Sequence, residues 1–272
     1  MNPGTDHVFL AVGKRGLSLI FVFLAGCAPL GPVPAGALVF GALGDAPYST
    51  LEAERLDGVI AQMNAEKGLA FVVHVGDIGA NVEACTDPWL AERKAQFANI
   101  RHPFVLLPGD NEWSNCPDPL ARLARWRAHF CYGETVFHLV RQQGPYCEHL
   151  RWETGGWVFV ALNVPGHDNN LRHPEHAPRM QAVLSWLDEA AALAEHRAGL
   201  VVLMQANPFY TFPRDGFRSL RQRLQQLAKA RPGKVVLVHG DTHLARDDEP
   251  LPGLRRIEVW GSPFVAWTRV AL

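Results

Sequence analysis

Four apolar segments of this 272-residue chain each end in the dipeptide Gly-Asp. The four dipeptides are Gly44-Asp45, Gly76-Asp77, Gly109-Asp110 and Gly240-Asp241. Continuous apolar runs bounded by turn residues are typical of strands that are buried on both faces of an α/β sheet. Glycine after such a strand permits a sharp turn and a close approach of the backbone. Because ligands bind outside the carboxyl ends of α/β strands, we expect the four aspartates to converge on one crevice.

Apolar runs alternate with helix-like segments along the chain. We predict strands over residues 37–40, 69–75, 104–107, 157–162, 200–203 and 234–238, with two short β runs between 254 and 270. We predict helices from Ser49 and from Asp87, and over residues 119–130, 180–194 and 217–230. The segment 133–156 is the candidate for a long surface loop or a small insertion. This alternation predicts an α/β fold with largely parallel strands.

The N-terminal residues have the pattern of a bacterial export signal. Lys14 and Arg15 precede an apolar run over residues 16–25, which is too short for a comfortable transmembrane helix. The run ends in Leu-Ala-Gly-Cys27, which resembles the lipobox of bacterial lipoproteins. Residues 1–27 are therefore predicted to be a signal peptide, with Cys27 as the lipidation site. The alternatives are an ordinary signal peptide that is cut elsewhere, or an N-terminal anchor.

The rest of the chain is predicted to be a short tether and one domain. Residues 28–35 are rich in proline and glycine and read as the tether. Residues 36–272 form the domain, which has the length of a single large unit. The predicted location is the bacterial cell envelope, where the lipid on Cys27 anchors the exported protein to a membrane, with the periplasmic face as one possibility.

Four cysteines remain after Cys27, and an even number in an exported chain favours disulfide bonds. They are Cys85, Cys116, Cys131 and Cys147. Four cysteines allow three pairings, and the sequence leaves all three open. We favour Cys85 with Cys116, because each follows one of the Gly-Asp motifs. Since no Cys-x-x-Cys occurs, a structural zinc site is not expected.

The charge balance excludes one class of partner. The chain has 26 Lys and Arg against 27 Asp and Glu, a net charge of −1, and no polybasic stretch. We therefore expect no nucleic-acid-binding surface.

A cluster of four aspartates predicts a bound cation, because their mutual repulsion is strong at low dielectric. Carboxylate oxygens suit hard ions such as Mg²⁺ or Mn²⁺, and imidazole extends the choice to Fe and Zn. His243 follows Asp241 by two residues, and Asn111 and Glu112 follow Asp110 directly. Any single aspartate of this kind is equally well explained as a helix N-cap. The four together, with these neighbours, favour a metal site.

The order of these motifs resembles that of the calcineurin-like metallophosphoesterases. The family motifs run D-x-H, G-D, G-N-H-D/E, a lone His and G-H-x-H, and the correspondence spans residues 39–243. The resemblance implies a four-layered sandwich of two mixed β-sheets flanked by helices. It also implies metal-dependent hydrolysis of a phosphate ester, either a phosphomonoester or a phosphodiester, with two divalent ions whose identity as Mn, Mg, Fe or Zn stays open.

The resemblance further implies a set of metal ligands. These are Asp45, Asp77 and His243 for the first ion, and Asp77, Asp110, Asp241 and Gln205 for the second. Asp77 would bridge the two ions. Gln205 stands where the family has its lone histidine.

The chain departs from the family at several histidines. Pro47 replaces the histidine of the first motif, and Asn111 replaces the histidine that contacts phosphate in the third. The motifs G-D-x-P-Y and P-G-D-N-E-W indicate a divergent exported subgroup. Tyr48, His74 or His239 could replace the histidine lost from the first motif, although His74 in an apolar strand is more typical of a core histidine. We predict catalytic roles for Asn111 and His239, the latter as a proton donor.

Other polar residues after strands are candidates for substrate contact. Tyr48, Asn163 and Asn207 are predicted to bind substrate. The polar loop 167–170 either lines the crevice or is simply solvated.

Two rival functions stay open at this level. One is a degenerate relative that keeps the metal and acts as an envelope binding lipoprotein without catalysis. The other is a binding protein without metal, in which the aspartates are helix caps. Other hydrolase designs fit poorly, because the chain has neither G-x-x-x-x-G-K-[ST] nor G-x-S-x-G.

Overall fold

The structure, a computed structural model, describes residues 36–80, 82–131, 138–211 and 213–272. The predicted signal peptide, the tether and the lipidation site at Cys27 lie outside the described residues. In the described part of the chain, none of the helices has the length and apolar character needed to span a bilayer.

The described residues form helices close to the predicted positions. They are α1 (Thr50–Ala65), α2 (Asp87–Phe97), α3 (Pro119–Phe130), α4 (His176–Ala194) and α5 (Arg218–Ala230). The predicted N-cap of α1 is confirmed, because the Glu52 amide donates to Oγ of Ser49 at 3.2 Å. The Glu52 carboxylate in turn accepts from the Tyr48 amide at 2.8 Å and from the Ser262 hydroxyl at 2.7 Å. This helix start therefore fixes the loop that carries Tyr48.

The strands form two mixed sheets. The first contains β1 (Val39–Leu43), β2 (Val72–His74), β3 (Phe104–Leu106) and β11 (Thr268–Ala271), in the order β11-β1-β2-β3. The second contains β4 (Val140–Arg141), β5 (Leu150–Thr154), β6 (Trp157–Ala161), β7 (Gly199–Leu203), β8 (Val235–His239), β9 (Arg246–Leu251) and β10 (Leu254–Glu258), in the order β4-β5-β6-β7-β8-β10-β9. The central strands of both sheets are parallel, and the strands at the edges include antiparallel ones.

The continuous apolar runs are explained by strands with a packed layer on each side. In β7, Leu200 and Val202 face the core under α4 and α5, while Val201 and Leu203 face the core between the two sheets. A strand that is buried on both faces needs apolar residues at every position.

Helices cover the outer faces of both sheets. Phe97 of α2 packs on the first sheet, with its ring centroid 5.4 Å from His74 and 5.2 Å from Phe104. Between the sheets, the rings of Phe40 and Phe159 meet edge to face at 5.5 Å. With α4 and α5 on the second sheet, these contacts make four layers, and the predicted fold class is confirmed.

Three strands, β4, β5 and β9, lie where the sequence predicted none. The expected loop 133–156 contains β5, which pairs with β6 along its whole length. Leu150 and Trp152 are buried and alternate with more exposed residues, which is the pattern of a strand with one buried face. The edge strand β9 is mostly charged, so it lacks an apolar signal, and charge on an edge strand discourages pairing with other chains.

The four cysteines form two disulfide bonds, Cys85–Cys116 and Cys131–Cys147. The preferred pairing of Cys85 with Cys116 is confirmed. Ligand atoms of Cys131, Cys147 and Glu148 lie within 4.8 Å of one another. They are not a metal site, because the two sulfurs are bonded to each other and Glu148 is paired with Arg127 at 2.6 Å.

Candidate metal centre

The four aspartates follow strands from both sheets. Asp45 and Asp77 lie just beyond β1 and β2 of the first sheet, and Asp110 follows β3 after a short turn. Asp241 lies beyond β8 of the second sheet. Asp45, Asp77 and Asp241 have positive φ values of 49°, 58° and 78°, a left-handed conformation that aspartate tolerates better than most residues. The chain therefore turns sharply at each carboxylate.

The glycines of the Gly-Asp motifs make room for aspartates of other motifs. A Cβ on Gly109 would lie 1.9 Å from Oδ1 of Asp77, and a Cβ on Gly240 would lie 1.9 Å from Oδ2 of Asp45. Any side chain at these two positions would displace a carboxylate. The repeated dipeptide is thus explained by the approach of neighbouring loops as well as by the turn itself.

Backbone amides hold the carboxylates in place. The Asp241 amide donates to both oxygens of Asp45, at 2.9 and 3.0 Å. The Asn111 amide donates to Oδ1 of Asp77 at 3.0 Å, and the Asn207 amide donates to Oδ2 of Asp241 at 3.0 Å. The bonds from Asp241 to Asp45 join loops of the two sheets, and the other two bonds join neighbouring loops within one sheet.

Gln205, just beyond β7, lies at the centre of three of the carboxylates. Its Nε2 lies 3.2 Å from Oδ2 of Asp77, 3.0 Å from Oδ1 of Asp110 and 3.5 Å from Oδ1 of Asp241. Its Oε1 accepts a hydrogen bond from the amide of Gly166. In this orientation the side chain donates hydrogen bonds, and the predicted ligand role would require the amide to turn over.

Tyr48 and His243 complete the other side of the cluster. The Tyr48 hydroxyl donates to Oδ2 of Asp77 at 3.0 Å and lies 3.3 Å from Nε2 of His243. Nδ1 of His243 donates to the carbonyl of Ser262 at 2.7 Å, so its Nε2 keeps a lone pair directed at the cluster. Oδ1 of Asp45 lies 3.8 Å from that Nε2.

Glu112 holds the second and third motif loops together. Its carboxylate accepts from the amides of Gly109 at 2.6 Å, Ile78 at 2.5 Å and Asp77 at 3.3 Å. Burial raises the pKa of Glu112 to about 7, although these hydrogen bonds act in the opposite direction. Glu112 therefore holds the loops that carry Asp77 and Asp110 together.

Burial raises the pKa of the aspartates, and repulsion from neighbouring carboxylates adds to it at Asp45, Asp77 and Asp241. Burial is the main cause for all four, and it is opposed at Asp110 by a hydrogen bond from Asn115 and by the nearby His167 imidazole. The pKa of Asp241 rises to about 7. Within the described ranges, no Lys or Arg forms an ion pair with these carboxylates. The charge of the cluster is therefore not balanced by the side chains around it.

The candidate ligand atoms on the Tyr48 side form a series of short contacts. Two ligands of one small divalent ion lie about 3–4.2 Å apart, because each is about 2.1 Å from the ion. The successive distances from Asp77 to Tyr48, Tyr48 to His243 and His243 to Asp45 are 3.0, 3.3 and 3.8 Å. No three His, Asp or Glu ligand atoms of the described cluster lie within 4.8 Å of one another, so these side chains are farther apart here than they would be around a bound ion.

Several predicted residues lie away from the carboxylates. Asn163 donates to Glu148 at 2.9 Å. His239 is fully buried, its Nδ1 contacts the Gly240 carbonyl, and burial lowers its pKa to about 3. The Asn111 side chain donates to the Gly79 carbonyl at 3.0 Å. None of these contacts supports the predicted catalytic or substrate-binding roles, and the proposals below do not use them.

His74 is a core histidine that holds the site from behind. Its Nε2 donates to the Ala46 carbonyl at 2.8 Å, and its Nδ1 accepts from the Gly76 amide at 3.2 Å. Burial lowers its pKa to about 4, so the ring stays neutral. It thereby ties the first motif loop to the second.

A cleft of about 830 Å³ opens beside Asp110 and Asp241. Its polar lining is formed by Asn115, His167, Asn207, Thr242, Arg246 and Arg256. Asn207, which is predicted to bind substrate, lines this cleft, and the loop residue His167 lies on the cleft wall. Asn115 and Gly166 carry no sequence signal that we used, although Pro165-Gly166 follows β6 in the same way that Pro108-Gly109 follows β3.

No protein-family model and no curated protein matches the sequence. Solved structures do match. One is a dimetal phosphatase from Danio rerio, with 15% identity and a TM-score of 0.53, covering 82% of this chain and 87% of that chain. Another is GAP50, described as the anchor in the inner membrane complex of Plasmodium, with 12% identity, a TM-score of 0.56, and 87% and 81% coverage.

A third similar structure is the purple acid phosphatase PPD1 from yellow lupin seeds. It has 11% identity and a TM-score of 0.51, and the match covers 87% of this chain but 49% of that chain. At such low identities, the likeness establishes the shared fold.

Proposed function

We propose that this chain, whose fold is that of the calcineurin-like metallophosphoesterases, is a metal-dependent hydrolase of phosphate esters. One observation carries the proposal. Asp45, Asp77, Asp110 and Asp241, from the ends of four strands in two sheets, converge beside a cleft, and no Lys or Arg among the described residues forms an ion pair with them. An anionic substrate would be repelled from such a site unless a cation were bound there.

The residues that would hold a divalent ion are Asp45, Asp77, His243 and the Tyr48 hydroxyl. Their oxygens and the Nε2 lone pair are the donors that Mn²⁺, Fe and Zn accept, and the oxygen-rich set also suits Mg²⁺. Such an ion supplies a Lewis acid that polarises a phosphoryl oxygen. The chain itself orients the donors, through the Ser262 carbonyl on His243 and the Glu52 carboxylate on the Tyr48 amide.

Polar groups of the cleft wall are placed to bind the ester. The Asn207 side chain donates to Oγ1 of Thr242 at 3.0 Å, and Arg246 on the same wall is paired with Glu258 at 2.9 Å. Hydrogen-bond donors such as the Asn207 amide, and a guanidinium such as that of Arg246, are groups that can orient a phosphate ester in the cleft.

His167 is the residue best placed to give a proton to the leaving group. It is exposed on the cleft wall, and its imidazole is near enough to Asp110 to lower the pKa of that carboxyl. His167 has a positive φ of 57°. Its loop is held by an ion pair between Asp168 and Arg214 at 2.9 Å. Histidine is the usual general acid of enzymes at neutral pH.

The test uses the described domain stripped of metal and then supplied separately with Mn²⁺, Mg²⁺, Fe²⁺ or Zn²⁺. Turnover of a phosphomonoester or a phosphodiester is expected only with added ion. Turnover should fall by at least about 100-fold in Asp77→Asn. Loss of a residue that only orients a metal ligand costs up to about 100-fold, and Asp77 would bind the ion itself. Asp247→Asn, which removes an exposed carboxylate paired with Arg255, is the matched control and should keep full activity.

A second candidate is a binding protein that retains the ion without catalysis. The amide of Gln205, which replaces an imidazole, favours it, and one structure of this fold is described as an anchor. Ion-dependent thermal stabilisation that is lost in Asp77→Asn, with no turnover of either ester, would select this candidate. An absence of both turnover and ion binding would reject the metal centre itself.

We also infer that the protein is exported and lipid-anchored to a membrane of the bacterial cell envelope. The lipobox-like sequence before Cys27 supports this location. The two disulfides give independent support, because such bonds persist in oxidising compartments.

A further inference from the structure

Gln205 occupies the position between Asp77, Asp110 and Asp241 where a second ion would bind. Its Nε2 is within 3.0–3.5 Å of an oxygen of each. We propose that this amide permanently replaces the second ion, so that the chain binds one divalent ion, on the Tyr48 side. The inference rests on the proposed function only in assuming that the centre binds metal.

The orientation of the amide excludes metal ligation by Gln205. The Gly166 amide donates to Oε1, which leaves the NH₂ group directed at the three carboxylates. An amide nitrogen only donates, and its hydrogens would repel a cation. Turning the amide over would place the NH₂ group against the Gly166 N–H and lose both sets of hydrogen bonds.

The side chain has no room to swing away. A Cβ on Gly76 would lie 2.9 Å from both Cβ and Cγ of Gln205, so the Gln205 stem packs tightly on that glycine. Gly166, whose amide contacts Oε1 of Gln205, is itself packed against Asp241, since a Cβ on Gly166 would lie 2.2 Å from Oδ1 of Asp241. Gln205 is fully buried.

The electrostatic consequence is a division of the cluster into two halves. On the Gln205 side, two N–H dipoles relieve the repulsion among the carboxylates without a full charge. On the other side, oxygens of Asp45, Asp77 and Tyr48 and the Nε2 of His243 form a continuous set of atoms that can bind a metal ion. Only the second half is open to a cation.

The ion content of the wild-type domain tests this directly. The metal-free domain is saturated with Mn²⁺, desalted and analysed for metal by mass spectrometry, and its electron paramagnetic resonance spectrum is recorded. We expect about one Mn²⁺ per chain with the spectrum of an isolated ion. Two ions with an exchange-coupled spectrum, or none, would overturn the proposal.

Gln205→Glu provides a second measurement. The substitution keeps the shape of the side chain and replaces the NH₂ donor with a ligand oxygen. We expect the ion content to rise from about one to about two, and the ion-free variant to melt at a lower temperature than the wild type. A folded variant that still holds one ion contradicts the proposal.

Gln142→Glu is the matched control. Gln142 bonds His149 and the Ala182 carbonyl and none of the aspartates, so its ion content should stay at one. If Gln205→Glu does not fold, the wild-type count still decides. A chain that holds one ion and cleaves neither ester would leave this inference standing and reject the hydrolase proposal.

Discussion

Single residues set the geometry of the site through unusual backbone conformations. Asp45, Asp77 and Asp241 adopt positive φ, which costs an ordinary residue roughly 1–2 kcal/mol. Each carboxylate recovers that cost through bonds to backbone amides of neighbouring loops, such as the two from Asp241 to Asp45. His167, Asn169 and other residues of the cleft loop have the same property. The strained positions therefore coincide with the candidate centre.

His167 gives a prediction at the residue scale. If it protonates the leaving group, His167→Gln should lower kcat by about 100-fold on an alkyl phosphate ester while KM changes little. On p-nitrophenyl phosphate, whose leaving group needs no proton, the loss should be less than about tenfold. The exposed His196→Gln serves as control. An equal loss on both substrates would show that His167 has a different role.

Secondary-structure elements decide which polar groups become buried. His149 precedes β5 and is fully buried, with Nδ1 donating to Oε1 of Gln142 at 2.7 Å and its ring stacked on Tyr146. Its Nε2 has no hydrogen-bond partner among the described residues. Burial lowers the pKa of His149 to about 4, because a proton on Nε2 would have no acceptor.

The burial of His149 beside β5 therefore predicts that the stability of the protein depends on pH. Between pH 6.5 and 4 the unfolded chain binds a proton at His149 that the folded chain does not, so stability falls as pH falls through this window. The loss attributable to this residue is roughly 3 kcal/mol. His149→Asn retains an N–H donor and does not titrate. Between pH 6.5 and 4, its free energy of unfolding in urea should therefore fall by roughly 3 kcal/mol less than that of the wild type. If the free energy of unfolding falls as much in His149→Asn as in the wild type, the pH dependence does not come from His149.

At the scale of the whole molecule, the site exists only because two sheets meet. The first sheet contributes three aspartates, and the second contributes Asp241, Gln205 and the cleft wall. Phe40 and Phe159 pack between the sheets and fix their separation. A change in that core would therefore alter the geometry of the centre.

The location of the molecule gives the prediction at this scale. The full chain expressed in bacteria should partition into detergent with the membranes, because several acyl chains on Cys27 would each contribute about 0.8 kcal/mol per buried CH₂. Cys27→Ser should move the protein to the soluble fraction, while Ser18→Ala in the apolar run should not. Retention of Cys27→Ser in the membrane would favour an uncleaved N-terminal anchor.

Much of the fold could be predicted because apolar periodicity is a local property. The central strands β6, β7 and β8 and helices α3 and α5 lie close to their predicted bounds. The strands β4, β5 and β9 were missed because β4 has only two residues, β5 is buried on one face only and β9 is charged, so none has a continuous apolar run. The pairing of Cys85 with Cys116 followed from their places after motif loops, and the structure confirms it.

At the candidate centre too, some features could be predicted from the sequence and others could not. The sequence by itself determined that the four aspartates would meet, because strand ends of an α/β fold share an edge and glycine beside each allows close approach. Only the tertiary structure decided what lies between them. Residue type does not specify which end of the Gln205 amide faces the carboxylates, nor that His239 points away and His167 lines the cleft. Those outcomes depend on contacts such as that from Gly166, which join residues far apart in the chain.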